Sequence, residues 1–360
     1  MRALNRRLAS LLTACVACCA CHGHGGDSRA PPQSAAGGEN SPTNPLQTFR
    51  LNSSSGIGFD DLWFSPDLHS VLAPAGGTGC VELFDSTSLS RTSLCGIGPS
   101  SNYEGGHGDG TTSADFGAGF VFAIDRSSQS LQAVDPRAKR VVTTAALAGS
   151  PDYVRWVASK REVWVTEPDR EQIEVFSFAS DDPPKLSQAG VIAVAGGPES
   201  LVVDADHDRA FSHLWQGSTV RIAVGSRTVS ESFSNGCSGS RGIALDAARG
   251  QLFAGCSEGK AVVLDVDHGG KVVDSAATAS GVDIIAVNPS LHHLYLPAAS
   301  DGSVAVLGVS SQGKLSQLGA LRAAKGSHCV TADDQGRIWV CAPDSGSLLV
   351  FEDTFRPATE

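Results

Sequence analysis

The stretch Gly242-Ile243-Ala244-Leu245-Asp246, Gln251-Leu252-Phe253-Ala254, Ala261-Val262-Val263-Leu264-Asp265 and Lys271-Val272-Val273-Asp274 decides the fold. These four runs lie between Gly239 and Ala279. They are separated by Ala247 to Gly250, by Ser257-Glu258-Gly259-Lys260 and by Gly269-Gly270. Runs this short and this rich in Val, Leu and Phe read as strands, and near-continuous apolarity marks strands packed on both faces. The Gly, Asp and Ser between them suit turns that need unusual backbone angles. The segment is therefore expected to be one four-stranded antiparallel sheet.

The pattern returns along the chain. The second run of each unit is Val71-Leu72-Ala73, Phe120-Val121-Phe122, Val163-Trp164-Val165, Ala210-Phe211-Ser212, Leu252-Phe253-Ala254, Leu294-Tyr295-Leu296 and Ile338-Trp339-Val340. Successive cores start 49, 43, 47, 42, 42 and 44 residues apart. Four strands repeated at that period make a propeller blade. Residues 48–357 are thus expected to form an all-β, seven-bladed β-propeller. A chain of 360 residues would otherwise suggest two domains, but each blade buries its faces only against its neighbours. The last unit offers His328 to Asp333, Arg337 to Ala342 and Leu348 to Asp353, and is one strand short. Thr48-Phe49-Arg50-Leu51, ahead of the first full unit, is expected to complete it and remove an exposed sheet edge.

The first 21 residues read as a targeting segment. Arg2, Arg6 and Arg7 precede a short apolar run, too short to span a membrane. Leu12-Thr13-Ala14-Cys15 resembles the lipobox of bacterial lipoproteins, with Cys15 as the lipidated residue. Cys18 or Cys19 could serve instead, and a plain secretory signal cut near Cys21 is the other reading. Cys18-Cys19-Ala20-Cys21-His22 also fits the spacing of c-type haem attachment, but it overlaps the export signal, and Met1 is the only Met. Residues 22–47, rich in Gly, Pro, Ser and Asn, carry too little apolar surface to offset ordering entropy and are expected to be a flexible linker. The net charge is −11, and loss of a leader holding three arginines makes the chain more acidic still. Such a charge disfavours nucleic-acid binding. Localisation is expected to be periplasmic or at the outer membrane or cell surface, as a monomer whose only membrane contact is the lipid anchor. In an oxidising compartment the remaining six cysteines are expected to pair locally as Cys80–Cys95, Cys237–Cys256 and Cys329–Cys341.

Val163-Trp164-Val165-Thr166-Glu167 followed by Ile173-Glu174-Val175-Phe176 resembles the blade motif of YncE-like, YVTN-repeat propellers. Leu294-Tyr295-Leu296 with Ser303-Val304-Ala305-Val306, and Ile338-Trp339-Val340 with Leu348-Leu349-Val350-Phe351, are similar. The resemblance covers about residues 48–357 and implies an exported bacterial propeller. It departs from the family where the usual Thr-Asn is Thr166-Glu167.

Eleven residues before each second-strand core, or ten in the last unit, stand Asp60, Asp109, Asp152, Glu199, Arg241, Asp283 and His328. Each precedes an innermost strand, so the seven are expected to ring one mouth of the central channel. Crowded carboxylates raise one another's pKa unless a cation relieves them. Asp60, Asp109, Asp152, Glu199 and Asp283 are therefore candidate ligands for calcium or another divalent cation. Arg241 and His328 are candidate ligand-binding groups, joined by His107 from the glycine-rich stretch Gly105 to Gly110, a loop that could lie over the mouth. His213 is a further candidate for the same mouth, whereas His292 and His293 read as exposed turn residues.

Nucleophile elbows, P-loops and dinucleotide turns are missing. The leading expectation is an envelope-associated binding module for a small molecule or an envelope protein, of unknown substrate and not an enzyme. The alternative is a metal-dependent, lactonase-like hydrolase using the mouth carboxylates. A structural subunit that docks other envelope proteins is the third reading.

Overall fold

Residues 44–51 and 55–356 are described in a computed structural model. The chain divides after Ala36, and the propeller lies within Gly37–Glu360. The expected leader 1–21, its Cys15, and residues 22–43 of the expected linker lie outside the described residues. Among the described residues no helix is long and apolar enough to cross a membrane.

The described strands form seven four-stranded antiparallel sheets. Blade 5 is Ser240–Asp246, Gln251–Cys256, Lys260–Asp265 and Lys271–Ala277, from the innermost strand outward. Burial falls away at the outer strand, where no residue of Lys271–Ala277 is buried. Gln251–Cys256 is buried along its whole length, whereas the outer strand of blade 4, Thr228–Ser234, is almost wholly exposed. The turn after Asp246 is a single 3-10 turn, Ala247–Arg249, closed by Gly250 at φ +61°. Glycine takes this left-handed angle without strain, and a Cβ there would lie 2.1 Å from Asp267 Oδ2.

Each interface between adjacent blades is an apolar cluster. Phe122, Val154, Val163 and Phe176 join blades 2 and 3, and Phe253, Ile285, Leu294 and Leu307 join blades 5 and 6. A fully buried side chain of this kind contributes about 1.5–3 kcal/mol. The seventh sheet holds Val330–Ala332, Arg337–Ala342 and Ser347–Glu352, and its fourth strand is Gln47–Arg50. Thr48 pairs with Leu349 and Phe49 with Leu348. The Phe49 ring lies 4.7 Å from Phe84 of blade 1 and 5.9 Å from Trp339 of blade 7. The strand thus adds backbone pairs to one blade and an aromatic ring to the seam with the next.

Three disulfides are present: Cys80–Cys95, Cys237–Cys256 and Cys329–Cys341. Cys80 and Cys95 are directly opposed in strand register. Such bonds suit an oxidising compartment.

Two histidines depart from the sequence expectation. His293 is buried, not a surface turn residue, and its Nδ1 lies 2.7 Å from Asp353 Oδ2, with both side chains fully buried. It sits in the second strand of blade 6, His293–Ala298, and the turn ends at His292. His213 is buried between blades 4 and 5, with Nδ1 2.8 Å from Thr219 Oγ1 and Nε2 3.3 Å from the Phe253 carbonyl. Burial depresses its pKa to about 4 against that carbonyl's pull, so it is a neutral core histidine and does not line the mouth.

Candidate functional site

A cavity of about 870 Å³ opens where the innermost strands begin. Asp152, Glu199, Arg241, Asp283 and His328 all line it. Asp60 lies beneath them, buried and in contact with two lining residues. Backbone packing brings the groups together. A Cβ on Gly242 would lie 2.1 Å from the Asp283 carbonyl oxygen, so only glycine lets blades 5 and 6 approach closely enough to set Arg241 near Asp283. A Cβ on Gly58 would lie 2.6 Å from the Gly106 carbonyl, and this contact lets the loop bearing His107 settle over the mouth.

Asp109 is exposed and is not among the lining residues, contrary to the expected ring. The cause is a short hairpin. In blade 2 the register pairs Gly117 with Phe120, whereas blade 5 pairs Asp246 with Gln251. Stepping back by the same interval therefore overshoots the innermost strand, Thr111–Gly117, into the loop. The vacant charge position is filled from another direction. Arg126, at the far end of the second strand of blade 2, reaches the mouth. Its Nη2 lies 2.9 Å from Asp60 Oδ2 and donates a short hydrogen bond to Asp152 Oδ1. Its Nη1 donates to the His107 carbonyl at 2.6 Å, and its Nε to the Pro151 carbonyl at 3.0 Å.

His107 joins the site as expected. Its Nδ1 lies 3.1 Å from Asp60 Oδ2 and its Nε2 3.5 Å from Asp283 Oδ2. The ring stacks on His328 at 5.0 Å. Arg241 Nη1 donates to Glu199 Oε1 at 2.8 Å, and its guanidinium lies over the Trp215 ring at 4.5 Å.

The electrostatics follow from burial and shared partners. The Asp60 charge holds the His107 pKa up at about 9, against burial and helped by their hydrogen bond. Burial works against the Asp60 carboxylate, but His107 and Arg126 hold it down at about 2. Burial pushes Asp152 up to about 7; Arg126 opposes, and Asp60 and Asp283 add to the rise. Burial and Asp152 lift Glu199 to about 9 despite Arg241. Asp283 is raised by burial and by Asp60. The cavity thus contains carboxyl groups that hold protons near neutral pH beside ones that cannot.

Metal-ligand geometry is partial. His107, Asp283 and His328 bring ligand atoms within 4.8 Å of one another. Both His328 nitrogens are already engaged, Nδ1 at 2.8 Å from the Gly326 carbonyl and Nε2 at 2.9 Å from the Phe59 carbonyl. A second grouping, His328 with Cys329 and Cys341, uses cysteines that are joined in a disulfide.

Sequence reasoning missed Arg126, Trp215 and Tyr103, all of which line the cavity. A signal existed for two of them. Five residues after the second-strand core starts of blades 3 to 7 stand Pro168, Trp215, Ser257, Ala299 and Pro343, and six after those of blades 2, 3 and 7 stand Arg126, Asp169 and Asp344. All eight line the cavity, because a strand antiparallel to the innermost one ends where that one begins. Tyr103, in the loop ahead of His107, obeys no repeat.

The opposite ends of the innermost strands enclose a second cavity of about 470 Å³, lined mainly by Trp63, Tyr153, Ile243, Leu245 and Ile284. Arg155 there donates to Asp61 through Nη1 at 2.6 Å and Nη2 at 3.0 Å, with Trp63 4.0 Å from the guanidinium. Burial pushes neighbouring Asp115 up to about 6 against the pull of Arg155.

No family model matches the chain, and no curated protein matches it. Among solved structures it is similar to a chain of the mitotic checkpoint complex, at 13% identity and TM-score 0.71, covering 92% of this chain and 97% of that one. It is similar to Kuenenia stuttgartiensis hydrazine synthase at 13% identity and TM-score 0.66, covering 89% and 99%. It is also similar to the Cps50 (Swd1) β-propeller domain of Myceliophteria thermophila at 10% identity and TM-score 0.69, covering 87% and 100%. At such identities the likeness shows the seven-bladed propeller fold alone.

Proposed function

We propose that this propeller is an envelope-associated binding module whose mouth cavity holds a small polar ligand. The observation that carries the reading is the cavity itself. It lies in the size range of small-molecule sites, it combines an exposed indole with convergent charged groups, and residues from blades 2 to 7 line it. Envelope association rests on the leader, its lipobox at Cys15 and the three disulfides, and the resemblance to YncE-like propellers agrees with it. A protein ligand on the same face is the broader version of the reading. One similar propeller belongs to a checkpoint complex, an assembly.

The second reading is a metal-dependent, lactonase-like hydrolase. The approach of His107, Asp283 and His328 favours it. The site's own cations weigh against it, because Arg126 and His107 stand against the carboxylates that a metal would use. A thermal-shift and tryptophan-fluorescence screen of the full chain separates the two readings. Saturable binding of polar organic compounds, lost in Trp215→Ala, supports the binding module. Stoichiometric divalent metal together with hydrolysis of model lactones would replace it with the hydrolase.

A further inference from the structure

Charge balance narrows the ligand. The cavity and its floor hold four carboxyl groups, Asp60, Asp152, Glu199 and Asp283. Against them stand Arg126, paired with Asp60 and Asp152, Arg241, paired with Glu199, and His107, between Asp60 and Asp283. His328 faces a carbonyl oxygen from each ring nitrogen, that of Gly326 and that of Phe59. The protein thus supplies its own counterions. A metal or ammonium ligand would have to displace Arg126 or His107 from Asp60. An anionic ligand would meet Asp169 and Asp344 at the rim.

Trp215 is the second observation, independent of the charges. It is 52% exposed and lines the cavity, in a protein whose other large aromatics are mostly buried. The Arg241 guanidinium lies over its ring, and Glu199 holds that guanidinium in turn. The indole is therefore a fixed apolar plate among hydrogen-bonding groups. A purely apolar ligand would leave those polar groups without partners, at a desolvation cost. A purely polar one would leave the plate wet. A sugar ring satisfies both at once, since its C–H face packs on an indole while its hydroxyls donate to carboxylates and accept from guanidinium groups.

We infer that the mouth cavity is a site for neutral saccharides, Trp215 being the stacking platform and Glu199, Asp152 and Arg241 the hydroxyl partners. This inference rests on reading the cavity as a ligand site. The test is binding of the full chain to an array of neutral and acidic glycans, with calcium chloride and choline chloride measured in parallel by thermal shift. Trp215→Ala, Trp215→Phe and Asp109→Ala are carried alongside. The expected result is selective binding of neutral glycans, weakened about tenfold or more in Trp215→Ala, partly restored in Trp215→Phe and unchanged in Asp109→Ala. Trp215-dependent binding of acidic glycans, calcium or choline without neutral glycans would overturn the saccharide assignment while leaving the ligand site standing. If no probe binds and Trp215→Ala melts like the parent protein with each of them, both readings fall.

Discussion

At the far end of the channel Arg155 and Asp61 are paired one to one, bidentate and buried, with Trp63 against the guanidinium. At the near end Arg126 is divided between Asp60 and Asp152, His107 between Asp60 and Asp283, and Asp152, Glu199 and Asp283 keep raised pKa values. The same ring of innermost strands frames both ends. The difference teaches which charges serve the fold. A closed pair satisfies itself, whereas shared partners leave protons and lone pairs at the disposal of a ligand.

Both ends depend on a closed ring, so the largest effect should come from opening it. Deleting residues 48–51 removes the pairs with Ser347 to Leu349 and the Phe49 ring from its seam. Melting should fall by about 10 °C or more, and the mouth cavity should lose its ligand binding and its pH response together. An unchanged melt would break the comparison at its base. Next comes Arg155→Ala, which strands a buried Asp61 and should cost about 3–5 kcal/mol in chemical denaturation. The far-end pair is structural only if this loss appears without any change in ligand affinity at the near end.

The near end should behave in the opposite way. Asp152→Asn with Glu199→Gln replaces two carboxyls that already favour the neutral form, so stability near pH 6 should change by no more than about 1 kcal/mol. The pH profile carries the sharper signal. The folded pKa values of Glu199, about 9, Asp152, about 7, and His107, about 9, all lie above their ordinary values of 4.5, 3.8 and 6.5. The folded chain therefore holds protons that the unfolded chain has released. Stability from these groups is complete below the ordinary values and is lost as pH rises through the folded ones. Denaturation at pH 5 to 9 should show stability falling with pH, at most by about 1.4 kcal/mol per pH unit for each proton. The double variant should flatten that fall and leave the His107 share above pH 6.5. Asp60 acts in the other direction and gives up its contribution as pH drops from 3.8 towards 2. A variant profile as steep as the parent's would mean that the shared-partner description of the near end is wrong.

The fold was legible because a strand core repeats whenever a blade does, and the same packing imposes the same residue types each time. Six of the seven expected ring residues were legible for a related reason: the turn between the first two strands has four residues in every blade counted by eleven and one fewer in the last, counted by ten. Asp109 misled because blade 2 shortens that turn to Ala118 and Gly119, a change invisible to a fixed count. Arg126 and Trp215 were hidden for a different reason. They occupy the end of a second strand, five or six residues after the core, where no single residue type recurs from blade to blade. His213 and His293 show the other limit. A lone histidine beside a turn looks the same in sequence whether it faces water or, like these two, a threonine and a carbonyl or a buried aspartate.

The smallest expected effect tests how far the near end extends. Asp109 is exposed at the outer side of the loop whose His107 reaches inward. Exposed charges away from any pair contribute little, so Asp109→Ala should leave stability within about 0.5 kcal/mol and the pH profile unaltered. His107→Ala, only two positions away, should instead remove the His107 share of the alkaline fall above pH 6.5 and leave that of Glu199, because the proton held between Asp60 and Asp283 is gone. The two substitutions differ in one respect that matters here: one residue faces Asp60 and the other faces solvent. Equal profiles for the two variants would mean that the loop does not hold His107 against Asp60, and the near end would then be a wet rim with no more organisation than any exposed turn.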